Sequence, residues 1–161
     1  MEIFYKQYEI VKGAREAMLG FIDKEAGTQL LTPISAFNNS TIGYLLVHIA
    51  NTYKHWSANF AMNKGLPYTD EYSISDMATI RQLFAEADIL MMNFLGHFTD
   101  PGLTVTNKVR SGKMVTVTAL ELFTHMITHE FHHKGQVMTM CRLLGHTPPD
   151  TDAIRCIFRR N

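Results

Sequence analysis

The segment from Thr118 to Gly145 constrains the fold more than any other part of the chain, because it carries a helix start, a helix stop and two apolar sides. Thr118 followed by Glu121 is a capping box, in which the threonine hydroxyl and the glutamate carboxylate satisfy free N–H groups at a helix start. Gly145, with Pro148-Pro149 beyond it, ends the helix. At about 100° per residue, Leu122, Met126, His129, His133, Val137, Met140 and Leu144 fall on one narrow stripe. Leu120, Ile127, Phe131 and Met138 lie on the opposite side. That pattern suits a central bundle helix, or a helix that also pairs two copies of the chain.

Three earlier segments have helical periodicity. The first, about residues 4–24, places Tyr8, Val11, Met18 and Ile22 on one side with Ala14, Ala17 and Phe21 beside them, and a loop follows from Gly27 to Asn39. The second begins after Ser40 as N-cap, carries Ile42, Leu46, Ile49, Tyr53, Trp56 and Phe60, and ends near Asn63-Lys64-Gly65. The third, with Ser75 as N-cap, has Met77, Ile80, Phe84, Ala87, Met91, Phe94 and Phe98 on its core face and ends at Asp100-Pro101-Gly102. Leu103-Thr104-Val105-Thr106 and Met114-Val115-Thr116-Val117 then flank Arg110-Ser111-Gly112-Lys113 as a short hairpin. The expectation is an all-α, single-domain four-helix bundle over residues 1–161, with a short β-hairpin before the last helix.

The 161 residues suffice for one core without disulfides, and the formal net charge of zero offers no basic field for a nucleic-acid backbone. No run approaches the roughly 18 apolar residues of a membrane span, and the opening Met-Glu-Ile-Phe-Tyr-Lys has no signal-peptide pattern. Cys141 and Cys156 form no CxxC arrangement. Together these features predict a reduced, cytoplasmic protein that binds neither nucleic acid nor membrane, with Cys141 packed as a small apolar residue.

Into such a core the fourth helix sends two imidazoles. His129 and His133 are one turn apart, and side chains four apart on a helix have Cβ atoms about 5–6 Å from each other, so both reach one ion. A single buried histidine is usually satisfied by a hydrogen bond; two at this spacing favour a metal. The second helix has its own polar stripe of Tyr44, His48, Asn51, His55 and Asn59, from which a third ligand can come. Gly135, mid-helix where glycine costs about 1 kcal/mol relative to alanine, reads as clearance for a close neighbour beside the site. His129-Glu130-Phe131-His132-His133 also satisfies H-E-x-x-H, in which the glutamate is the general base of a zinc protease. The extended protease motif is absent, because Gln136 and Thr139 stand where it requires glycine and histidine.

His48 in Leu45-Leu46-Val47-His48-Ile49-Ala50, followed by His129 and by His133-Lys134-Gly135-Gln136, resembles the DinB/YfiT-like family of metal-dependent proteins, which is unrelated to the DNA polymerase sharing the DinB name. The resemblance spans nearly the whole chain, departing by Lys134 where the family's motif reads His-Arg-Gly-Gln. It implies a four-helix bundle, often a homodimer, with a divalent ion such as Zn or Ni on His48, His129 and His133. It also implies transferase chemistry with low-molecular-weight thiols such as bacillithiol or mycothiol.

Three neutral imidazoles leave a coordination position open, the arrangement of a catalytic rather than a structural metal. The expected activity is a thiol S-transferase acting on small electrophiles, with Glu130, Tyr44 and Asn51 orienting groups or handling protons around the ion. A small-molecule hydrolase with Glu130 as base, and a non-catalytic metal-binding bundle, are the alternatives. His125 is a candidate to support the ligands, His55 to line the pocket mouth, and Arg110, Lys113 and Arg155 to meet an anionic group. His132 reads as solvated, with His97 and His146 at helix ends where a cation favours the dipole. The homodimer expectation rests on Leu120, Ile127, Phe131 and Met138.

Overall fold

In the computed structural model, which describes residues 2–109 and 111–154, four long helices and one hairpin follow the expected order. Arg110, Arg155 and Cys156 lie outside the described residues. Helix α1 (Glu2–Phe21) runs on as a π-helical turn, Ile22–Ala26, and α2 (Ile42–Tyr53) runs on as another, Lys54–Phe60. Helix α3 (Met77–His97) precedes strands β1 (Thr104–Lys108) and β2 (Met114–Thr118), which lead directly into α4 (Ala119–Leu143). No helix among the described residues is long and apolar enough to cross a membrane.

Local chemistry sets the helix starts, in two cases one residue later than expected. Thr41 rather than Ser40 caps α2, its hydroxyl accepting from the Tyr44 N–H at 3.0 Å. Asp76 rather than Ser75 caps α3, accepting from the Thr79 N–H at 2.8 Å. At α4 the capping box is present on both sides, Thr118 Oγ1 accepting from the Glu121 N–H and Glu121 Oε2 from the Thr118 N–H. The next two N–H groups, of Ala119 and Leu120, donate to the carbonyls of Leu103 and Pro101, so the chain leaving α3 completes the start of α4.

The hairpin holds that start in place. Thr104 pairs with Thr118 at one end of the antiparallel ladder and Lys108 with Met114 at the other. Val105, Val115 and Val117 turn toward the core, while the Thr106 and Thr116 hydroxyls bond at 2.8 Å on the outer face. Asn107 Nδ2 donates to the Phe60 carbonyl at 2.9 Å, tying the hairpin to the end of the second helix.

Helix α2 packs against α3 and α4, and α1 packs against the same two helices. Tyr8, Met18, Ile22, Leu46, Ile49, Tyr53, Ile80, Met91 and Met126 are shielded from solvent between them. Each large side chain so buried contributes about 1.5–3 kcal/mol, so the core does not need an ion to hold it together.

The second side of α4 fits the expected central bundle helix and differs from an exposed pairing face. Ile127 and Met138 are buried within the chain, Phe131 is half-buried under the Lys134 ammonium 4.0 Å from its ring centre, and only Leu120 is exposed. The buried stripe is Phe123, Ile127, Glu130, Lys134, Met138 and Cys141, and the chain itself closes it. The four apolar residues expected to pair two copies therefore do not form a common exposed face. Lys134 contributes to that closure by donating to the Thr151 carbonyl of the tail. Burial pushes the Cys141 thiol up to about 11, the state of a packed and unreactive side chain.

Gly135 also differs. A Cβ built there meets nothing within 4 Å, so no close neighbour in the chain requires glycine, and nothing in the structure explains it. Gly135→Ala is expected to raise stability by about 0.5–1 kcal/mol, the usual gain for alanine over glycine in a helix interior. Urea unfolding measures it, and destabilisation would show that a close approach is made at this position after all.

Candidate metal centre

Helices α2 and α4 bring His48, His129 and His133 together, with one nitrogen of each within 4.8 Å of the others. The His129 and His133 ring centres are 4.4 Å apart, as their one-turn spacing requires, and the His48 ring lies 5.2 Å and 4.9 Å from them. All three are half-buried, which leaves the cluster open toward solvent. The residues are those expected from the sequence, and the group could hold a metal ion.

The nitrogens around the cluster are not equivalent. His133 Nδ1 is 2.6 Å from Gln136 Oε1, and a carbonyl oxygen only accepts, so Nδ1 carries the proton and the Nε2 lone pair is free to ligate. His48 Nδ1 faces Glu71 Oε1 at 3.9 Å. His129 Nδ1 is buried with no hydrogen-bond partner among the described residues, an uncommon state for a polar atom. A buried imidazole nitrogen with no partner among the described residues, inside a trio of converging histidines, fits a bound cation.

Electrostatics keep two of these rings in the form a metal would need. Burial pushes the His129 imidazole down from 6.5 to about 3, with His133, His48, His125 and His132 adding to the shift. Burial also lowers His133, partly opposed by its bond to Gln136. Neutral imidazole is the ligating form, so near neutral pH no proton has to leave these two rings.

Asn51 and Tyr44 sit on the same face of α2 as His48. The Asn51 amide bonds both ways with the Thr69 backbone, donating at 2.7 Å and accepting at 3.0 Å, and reaches Glu71 Oε1 at 3.5 Å. It thereby anchors the loop that places Glu71 beside His48. Tyr44 lies parallel to the His48 ring, 6.3 Å between centres, with Tyr72 of the same loop 5.2 Å from it.

Glu130 is elsewhere. It is 1% exposed, its Oε1 accepts from Arg15 Nε at 2.8 Å, and its Oε2 accepts from Arg15 Nη2 at 2.9 Å and from Tyr53 Oη at 2.5 Å. With both oxygens engaged and no access to solvent, it is not free to act as the general base that H-E-x-x-H suggests. The hydrolase reading loses its base for that reason.

The other histidines separate by position. His125 has its ring 5.5 Å from His129 and 5.1 Å from Trp56, beside the cluster as expected, while His132 is exposed. His55 bonds Tyr68 at 2.7 Å between Nδ1 and Oη. His146 Nε2 lies 2.5 Å from Gln29 Oε1, and His97 stands against the Phe98 ring. Lys113 is exposed on the hairpin turn.

Arg15, Glu71 and the orienting role of Gln136 were not read from the sequence. Arg15 left a signal, because it interrupts the apolar series Tyr8, Val11, Met18, Ile22 at the spacing of the buried face. Glu71, in a loop without periodicity, left none.

The DinB family model matches residues 5–159. The chain belongs to the DinB family. A crystal structure of a DinB-like protein from Bacillus cereus ATCC 10987 has the same fold, with a TM-score of 0.71 and 19% identity over 93% of this chain and 96% of that one. No curated protein matches the sequence.

The depressed His129 value has a consequence for stability. Its folded-state pKa lies below the unfolded value of 6.5, so its contribution is complete above that pH and is lost as pH falls toward 3, where the unfolded state takes up the proton first. Metal-free protein is expected to lose stability over this window, and His129→Gln to lose less. Denaturant midpoints across a pH series measure it; equal slopes for the two proteins would contradict the assignment.

Proposed function

We propose that this DinB family protein is a metal-dependent enzyme, with a divalent ion such as Zn or Ni held by His48, His129 and His133, and that it transfers a low-molecular-weight thiol of the bacillithiol type to small electrophiles. The observation that carries the metal reading is the convergence of three half-buried imidazoles, one of them with a buried nitrogen that has no hydrogen-bond partner among the described residues. A site with three nitrogen ligands and an open side is built for exchange with a small molecule rather than for holding the fold together. The thiol reading draws on the family resemblance.

Held by His48, His129 and His133, a divalent ion would supply the positive charge that lowers a thiol pKa toward neutral pH. The chain supplies orientation. Gln136 holds the His133 ring in one tautomer, and Asn51 fixes the loop that sets Glu71 beside His48. Tyr44, parallel to His48, limits how that ring can turn. These are the roles proposed for the residues around the ligands, with Glu130 left out of the chemistry because its carboxylate is committed to Arg15 and Tyr53.

Untagged protein is expected to bind one Zn or Ni per chain. His48→Ala and His129→Ala should lose stoichiometric binding, whereas His132→Ala should keep it. With metal restored, adding bacillithiol should accelerate consumption of an alkyl-halide or epoxide panel, and Gln136→Ala should weaken metal affinity about 10- to 100-fold. Elemental analysis and turnover assays measure these. Metal binding without any thiol-dependent turnover would overturn the transferase and leave a metal-binding bundle.

A further inference from the structure

Resting on the metal reading, we infer that Tyr53 and Glu130 are positioning residues for the histidine cluster: their hydrogen bond, backed by Arg15, sets how α2 and α4 face each other so that three imidazoles converge. Tyr53 follows His48 on α2 by five residues, and Glu130 is the immediate neighbour of His129 on α4. The 2.5 Å bond from Tyr53 Oη to Glu130 Oε2 is therefore a direct tie between the two ligand-bearing helices. Both residues are closed to solvent, so water cannot substitute for either partner.

Arg15 makes the tie rigid. Its planar guanidinium grips both Glu130 oxygens, through Nε at 2.8 Å and Nη2 at 2.9 Å, and its Nη1 reaches Asp88 Oδ1 on α3 at 2.5 Å. A fork of this kind fixes direction as well as distance. Turning α4 about its axis would strip Glu130 from Arg15 and Tyr53 and would swing His129 and His133 away from His48, because all three α4 residues ride on one helix. The trio thus depends on a polar contact on a different face of α4 from the one that carries the imidazoles.

Tyr8 provides an internal control. It is equally buried, donates to Asp88 Oδ1 at 2.7 Å and accepts from Arg15 Nη2 at 3.1 Å, so its bonds join α1 to α3 and within α1, without linking α2 to α4. Removing its hydroxyl disturbs the same network at similar burial. A purely structural network would make the two tyrosines equivalent.

The test compares Tyr53→Phe with Tyr8→Phe on three readouts: thermal midpoint, Zn affinity by chelator competition, and the ring signals of His48 and His129 by NMR in metal-free protein. Both variants should lower the midpoint, but Tyr53→Phe alone should weaken Zn binding about 10-fold or more and shift the metal-free ring signals. Equal changes in Zn affinity and ring signals in the two variants, or no change in either, would overturn the inference. If Tyr53→Phe does not fold, Glu130→Gln, which keeps the size and weakens the Arg15 grip, takes its place with the same expectation. Wild-type protein that binds neither Zn nor Ni would overturn the proposed function, while the metal-free ring signals would still decide the positioning claim.

Discussion

The Arg15–Glu130 pair lies where the four helices meet, and the remaining structure accommodates the cost of taking its charges out of water. A buried ion pair is not a strong source of net stability, since desolvation offsets most of the attraction. Its effect is on specificity, because only one arrangement leaves no charge unpaired. Arg15 comes from α1, Glu130 from α4, Tyr53 from α2 and Asp88 from α3, so the four helices must adopt one mutual rotation to satisfy the group. Burial raises the Tyr53 phenol well above its ordinary range, with the Glu130 charge adding to the effect, so the tyrosine stays a donor. Burial opposes the Arg15 charge, but the Glu130 carboxylate bonded to it outweighs that effect and holds the guanidinium protonated.

Helix α4 therefore carries two polar layers with opposite access. One, Glu130 with Lys134, is sealed and saturated by Arg15, Tyr53 and the Thr151 carbonyl. The other, His129 with His133, is half-open and under-satisfied, with a buried nitrogen that no described residue meets. Saturation suits a structural role and deficiency suits ligand binding. At about 100° per residue Glu130 falls off the face shared by His129 and His133, which is why the glutamate and the histidines of H-E-x-x-H end in different environments.

Much of this was legible in the sequence where the signal is local. The capping box at Thr118, the one-turn spacing of His129 and His133, and the hairpin turn all depend on residues within a few positions of each other, and the structure contains each of them. The family resemblance added His48, which lies 81 positions before His129 and which periodicity alone could only place on a polar stripe. The two displaced caps arose because Ser40-Thr41 and Ser75-Asp76 each offer adjacent residues with the same capping chemistry. The second stripe of α4 is legible in Ile127 and Met138, but its charged members, Glu130 and Lys134, are not. Glu130 is paired in the core with Arg15, 115 positions away, and Tyr53, 77 positions away, and such a pairing has no local signature. The π-helical turns after α1 and α2 likewise have no residue pattern that marks them.

Binding of a divalent ion among the three imidazoles is tested most directly by anomalous diffraction from crystals of Zn-loaded protein, recorded on both sides of the zinc absorption edge. One strong edge-dependent peak is expected about 2.0–2.1 Å from a nitrogen of each of His48, His129 and His133. No peak there in crystals that hold zinc elsewhere would contradict it.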